Sequence, residues 1–172
     1  FPHVTYRKAL GAGGRVFDTD QFRLRIRDRS TNTNVNQTIT EGTGSTFTVD
    51  STGPVQVTAG NLIRVIEIAE GTTDLDAYDK ETICTNANAV SSTSFPAGTR
   101  RVDFTPAMGD VITCVVTTSR DTNTAVITVE KSSEVISDPV NATNPKAIPG
   151  AIVEYTITVT NLGLSPVDSD TL

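Results

Sequence analysis

AIVEYTITVTN, residues Ala151–Asn161, is the cleanest β-strand in the chain. Val153, Tyr155, Ile157 and Val159 fall on one face and Glu154, Thr156, Thr158 and Thr160 on the other, the period-2 pattern of a half-buried strand. It follows a proline-punctuated stretch and has only a short tail behind it. A lone strand cannot satisfy its backbone N–H and C=O groups or bury its apolar face. It therefore folds back on the preceding domain, belongs to a domain with further strands, or enters a neighbouring molecule.

Working outward, composition says the same of the rest. At 172 residues, with no Trp and 5% aromatic residues, the chain must build its core mainly from Val, Ile, Leu and Ala. Apolar runs are short and dominated by Val, Ile and Thr, and no stretch keeps helical periodicity over three turns, so the expected class is all-β. No run has the length of a membrane-spanning helix. The chain begins at Phe1 rather than Met, which reads as a secreted protein with its signal peptide removed, and a proteolytic fragment would look the same. The net charge of −6 argues against a nucleic-acid partner. The charge is uneven: the first thirty residues are rich in Lys and Arg, whereas residues 131–172 set Lys131 and Lys146 against Glu134, Asp138, Glu154, Asp168 and Asp170. A basic end and an acidic end favour head-to-tail contact.

In chain order, Val4, Tyr6 and Lys8 alternate with Thr5 and Arg7 in a first strand, and Gly11–Gly14 reads as a hairpin loop. Gln21–Asp28 points Phe22, Leu24 and Ile26 inward and Arg23, Arg25 and Arg27 outward. The arginines are either a solvated face that discourages edge pairing or a cationic stripe that meets an acidic partner. Short strands follow over Asn34–Thr40, Ser45–Val49 and Pro54–Thr58. Leu62–Ile68 is a more buried strand, and Leu75 and Tyr78 anchor a crossing loop. Glu81–Thr85, Arg101–Thr105, Asp110–Thr117 and Thr124–Glu130 complete the set. Strands spaced near ten residues apart predict a Greek-key β-sandwich or barrel over residues 1–131. Residues 132–150, with Pro139, Pro145 and Pro149, read as an extended linker. Residues 151–172 form the terminal strand segment, and Val167–Leu172 begins a further strand.

Cys84 and Cys114 each lie in an expected strand. In a secreted chain two cysteines most simply form one disulfide. Closing a loop of about 30 residues is worth roughly 3 kcal/mol in the chain-entropy model. No metal or cofactor is expected. The single histidine, His3, makes acid–base catalysis an unpromising reading, and no nucleophile elbow, dinucleotide fingerprint or nucleotide loop is present. The pairs Asp18/Asp20, Asp74/Asp76 and Asp168/Asp170 read as turn formers, since none has the remaining ligands of a calcium loop.

The stretches VTYRKALGAGGRVFDTDQFRLRI, VIEIAEGTTDLDAYDKETICTN and GDVITCVVT, within Val4–Lys131, resemble the prealbumin-like domains of bacterial surface proteins, related to the collagen-adhesin B-type fold. NPKAIPGAIVEYTITVTNLGLSPVDSDTL resembles the entry to a conserved repeat that stands in tandem on such proteins. The first resemblance implies a Lys–Asn or Lys–Asp isopeptide cross-link supported by a Glu. Lys8 stands where the reactive lysine is expected and Glu67 resembles the supporting glutamate, but Thr118 occupies the asparagine's place. A threonine cannot form that amide, which leaves Lys8 as an ordinary strand residue and the disulfide in the cross-link's stead.

The expected function is a structural subunit of an extracellular bacterial filament or pilus-like fibre. Its partner is a further copy of itself, joined head to tail by a donated terminal strand. Val153, Tyr155, Ile157 and Val159 are the expected subunit-interface residues. The alternative is a non-polymerising adhesin or stalk module at the cell surface that binds a host or matrix ligand.

Overall fold

A computed structural model describes residues 1–121, 125–141 and 143–163. The expected strand over Val167–Leu172 and the pair Asp168/Asp170 lie outside them. The chain divides into two compact units, Phe1–Thr124 and Ala125–Leu172.

The first unit is a sandwich of two four-stranded sheets. Alternating sequence makes the strands, and the buried alternate residues make the core. One sheet contains β1 (His3–Leu10), β4 (Val55–Gln56), β6 (Tyr78–Asn86) and β8 (Val111–Arg120), in the order β4-β1-β8-β6. The other contains β2 (Gln21–Asp28), β3 (Thr33–Ile39), β5 (Ile63–Glu70) and β7 (Arg101–Phe104), in the order β3-β2-β5-β7. Val4 and Tyr6 of β1 and Ile112, Cys114 and Val116 of β8 meet Leu24, Ile26, Ile63, Val65, Val102 and Phe104 across the interior. Burying each such aliphatic or aromatic side chain stabilises the fold by about 1.5–3 kcal/mol. This is the expected all-β, prealbumin-like sandwich.

Two local expectations differ. Gly11–Gly14 does turn, with Gly13 and Gly14 at positive φ (79° and 66°), but it opens no hairpin. β1 sits inside its sheet, antiparallel to β4 and parallel to β8, so the chain after Leu10 must cross to the other layer before β2 begins. Ser45–Val49 forms only an isolated bridge from Val49 to Glu41. Glycines at 42 and 44 with φ of 103° and 67° break any continuous ladder there. Leu75 and Tyr78 anchor the crossing as expected: Leu75–Ala77 is a short 3-10 turn capped by Asp74, and both anchors are buried.

The second unit is a two-stranded antiparallel ribbon of β9 (Ile127–Ser137) and β10 (Ile152–Asn161). The strand that looked orphaned thus has a partner in its own chain, since the β9 strand runs past Glu130 to Ser137. What read as a linker from residue 132 is the second half of β9 followed by a hairpin loop. That loop is closed by Asp138, whose carboxylate accepts from the backbone N–H groups of Val140, Asn141 and Lys146 at 2.7, 2.5 and 2.5 Å. Among the described residues no helix is long and apolar enough to cross a membrane.

Candidate functional site

Two places gather the residues singled out by sequence. The first is the ribbon. Antiparallel pairing sets Val153 opposite Val135, Tyr155 opposite Ser133, Ile157 opposite Lys131 and Val159 opposite Val129. Directly paired residues share a face, so Val153, Tyr155, Ile157 and Val159 are joined on one side by Val129 and Val135, with Ile127 opposite Asn161 at the end. Lys131 interrupts this face only in name, because its ammonium lies 4.6 Å over the Tyr155 ring. Val129, Ile157 and Tyr155 are 64, 63 and 60% exposed. The other face carries Glu130, Glu134, Glu154 and the threonines, with Glu134 directly opposite Glu154. The β9 contribution escaped the sequence reading because Lys131 and Ser133 break the apolar alternation. The period-2 spacing of Ile127, Val129 and Val135 is the signal that could have found it.

Two-stranded ribbons are marginal in water, and an apolar face this open gains stability only when another surface covers it.

The second place lies inside the sandwich. Lys8 points inward from β1 and Glu67 inward from β5, and their Nζ and Oε1 are 2.6 Å apart with both side chains fully buried. Thr118 on β8 completes the cluster: its hydroxyl meets Lys8 Nζ and lies 3.3 Å from each Glu67 carboxylate oxygen. The Phe22 ring lies 4.0 Å beneath the ammonium. Burial pushes the Lys8 pKa down to about 8, against the pull of Glu67 in the other direction. Lys8 is therefore no ordinary strand residue but half of an ion pair that ties the two sheets together. Strand periodicity marked it as inward-facing, and only the packing of β1 over β5 supplies its partner. Thr118 offers Lys8 a hydroxyl and no carboxamide, so this pair cannot form the amide that the resemblance implies.

The cysteines meet as expected. Cys84 on β6 and Cys114 on β8 are directly opposed and joined by a disulfide, with Cα atoms 4.0 Å apart. The aspartate pairs serve as turn residues: Asp20 accepts from Phe17 N at 3.1 Å and from the Tyr78 hydroxyl, and Asp74 accepts from Asp76 N at 2.9 Å. Asp110 shows how completely such a carboxylate can be absorbed by structure. Burial alone would raise its pKa, but hydrogen bonds led by Ser91 and Thr93 outweigh that and hold it at about 2.

No curated protein and no solved structure matches the chain. Residues 3–120, roughly two thirds of the 172, match the SpaA-type family described as a prealbumin-like fold domain. That span covers all eight strands of the sandwich together with the Lys8–Glu67–Thr118 cluster and the disulfide, and the chain belongs to the SpaA-type family of prealbumin-like fold domains.

Proposed function

We propose that this protein is a structural subunit of an extracellular bacterial fibre, joined head to tail through the β9–β10 ribbon. The match to the SpaA-type prealbumin-like family, whose domains belong to surface pilins, supports a structural part in such a fibre. The observation that carries the reading is the open apolar face of Val129, Val135, Val153, Tyr155, Ile157 and Val159 on a two-stranded ribbon. One edge of β10 is paired with β9 and its other edge carries no ladder among the described residues. The donated element is thus a strand that arrives with a partner already attached. Adding it to a neighbouring sheet supplies ladder hydrogen bonds and covers the apolar face. Because donor and acceptor surfaces differ, the contact does not close on itself and repeats into a fibre. The same reading places the protein outside the cell after secretion.

The test is negative-stain electron microscopy of the full chain beside the Tyr155→Asp/Ile157→Asp double variant. Filaments from the parent chain, and folded but discrete particles from the variant, are expected. Intact fibres from the variant overturn the ribbon as the joint. Discrete particles from the parent chain point instead to the stalk or adhesin module, its ribbon covered by further β-structure.

A further inference from the structure

The fibre reading leaves the acceptor unnamed, and the first unit offers one edge that fits. β7 is the last strand of its sheet and pairs only with β5. Its outer edge has no ladder partner among the described residues. Beside it lies an open groove of about 1000 Å³, lined by Leu62, Phe95, Pro96, Phe104, Pro106 and Met108. Met108 is 65% exposed and Leu62 is 40% exposed. Phe104 is buried and packs edge-to-face on Phe95, so the groove has a fixed aromatic floor.

The opposite face of the same sheet is cationic. Arg101 of β7 aligns with Ile66 of β5 and Arg25 of β2, and the next row aligns Asp103, Arg64 and Arg27. Arg64 is held by Asp103 and Arg23 by Glu70, each at 2.6 Å. Arg25, Arg27 and Arg101 make no ion pair among the described residues. Arg25 and Arg27 turn to neutral partners, Gln37 and Asn32.

A strand added to the β7 edge inherits both surroundings, because alternate side chains point to opposite faces of a sheet. One set lies over the groove and the other continues the arginine face. The ribbon matches on both counts: apolar residues on one side, and Glu130, Glu134 and Glu154 on the other. Glu134 and Glu154 stand directly opposed with no cation paired to either among the described residues, an arrangement that favours an external cation. The remaining edges fit less well. β4 has two residues, the β6 edge is bridged at Thr82 by Gly98, and the Leu62–Met108 groove does not border β3.

We propose that the free edge of β7 in one copy receives β10 of a second copy, with the ribbon's apolar face over the Phe104–Met108 groove and Glu154 of β10 toward Arg101 of β7. This inference rests on the fibre reading and names its acceptor. β7 has four residues, so the ladder is short and the groove and charges carry the rest of the contact.

The test uses full chains followed by sedimentation velocity and electron microscopy. Arg101→Glu, Glu154→Arg and Met108→Glu are each expected to lose fibres while keeping the circular dichroism of the parent. An equal mixture of the two charge-reversed chains is expected to regain fibres, since every joint then pairs opposite charges again. Adding salt should weaken the parent fibres. Parent fibres with all three variants intact would overturn the β7 acceptor and leave the fibre reading standing. A mixture that stays dispersed would overturn the pairing of these charges. A parent chain that stays monomeric at every concentration would overturn both.

Discussion

Lys8 Nζ lies 2.6 Å from Glu67 Oε1, with both side chains fully buried between the two sheets of the sandwich. β1 and β5 belong to different sheets, so this single contact spans the core. A buried pair is weak evidence for net stability, since desolvation offsets the attraction, but breaking it is costly.

Glu67→Leu should therefore destabilise the first unit by about 3–5 kcal/mol, because it strands a buried ammonium. The double variant Lys8→Met/Glu67→Leu should recover most of that loss. Urea unfolding followed by circular dichroism measures both. A double variant no more stable than the single one would mean that packing, not charge, dominates at this site.

The depressed lysine also makes stability depend on pH in a defined direction. Lys8 loses its proton at about 8 in the folded protein and at its ordinary 10.5 when unfolded. Between these values the unfolded state binds more protons, so the contribution of Lys8 to unfolding free energy rises with pH. Unfolding midpoints from about pH 7.5 to 9.5 should show a positive difference in slope between the parent and Lys8→Met. The window ends there because Tyr6, raised well above its usual range by burial and by Glu67, acts with the opposite sign at higher pH. An equal slope in the two proteins would show that Lys8 keeps its proton throughout.

Position 118 decides whether this cluster is reactive. The Thr118 hydroxyl touches Lys8 Nζ and lies 3.3 Å from Glu67. Thr118→Asn would place a carboxamide carbon against an amine already poised to lose its proton. Attack by Nζ forms the new C–N bond, the carboxamide nitrogen leaves as ammonia, and Glu67 relays the proton between them. The intact mass of the variant should fall by one ammonia, and adding Glu67→Ala should prevent the loss. A folded Thr118→Asn protein at unchanged mass would show that the cluster's geometry is not catalytic.

The disulfide staples neighbouring strands and encloses a separation of 30 residues. Replacing both cysteines with alanine should cost roughly 3 kcal/mol, mainly through the freedom returned to the unfolded chain. The variant should still show the parent's far-ultraviolet spectrum, since the β6–β8 ladder continues for nine pairs around that point. Unchanged urea midpoints would place the stabilisation elsewhere.

Strand periodicity carried the sequence reading furthest where a strand has one wet face and one dry face. Phe22, Leu24 and Ile26 against Arg23, Arg25 and Arg27 could be read directly, and all three apolar residues are fully buried. The inward direction of Lys8 was legible in the same way. Its partner was not, because Glu67 is far along the chain and meets it only when the sheets stack. The ribbon shows the limit from the other side. β10 was plain from its alternation, but β9 beyond Glu130 is polar on both faces for several residues, and prolines after it mimic a linker. Its pairing is settled by backbone hydrogen bonds, which side-chain pattern does not report.

The sequence by itself determined the class of this protein: β-branched alternation, few aromatics and two strand cysteines admit little except a disulfide-bearing all-β domain. Tertiary structure alone decided which strands share a sheet. It set β1 parallel to β8, left β7 at an open edge beside an apolar groove, and turned β10 into half of a ribbon with one exposed apolar face. The physical reason is range. Alternation records whether a residue faces water or core, a local property of each strand, whereas neighbours in a sheet are chosen by contacts between residues distant in sequence.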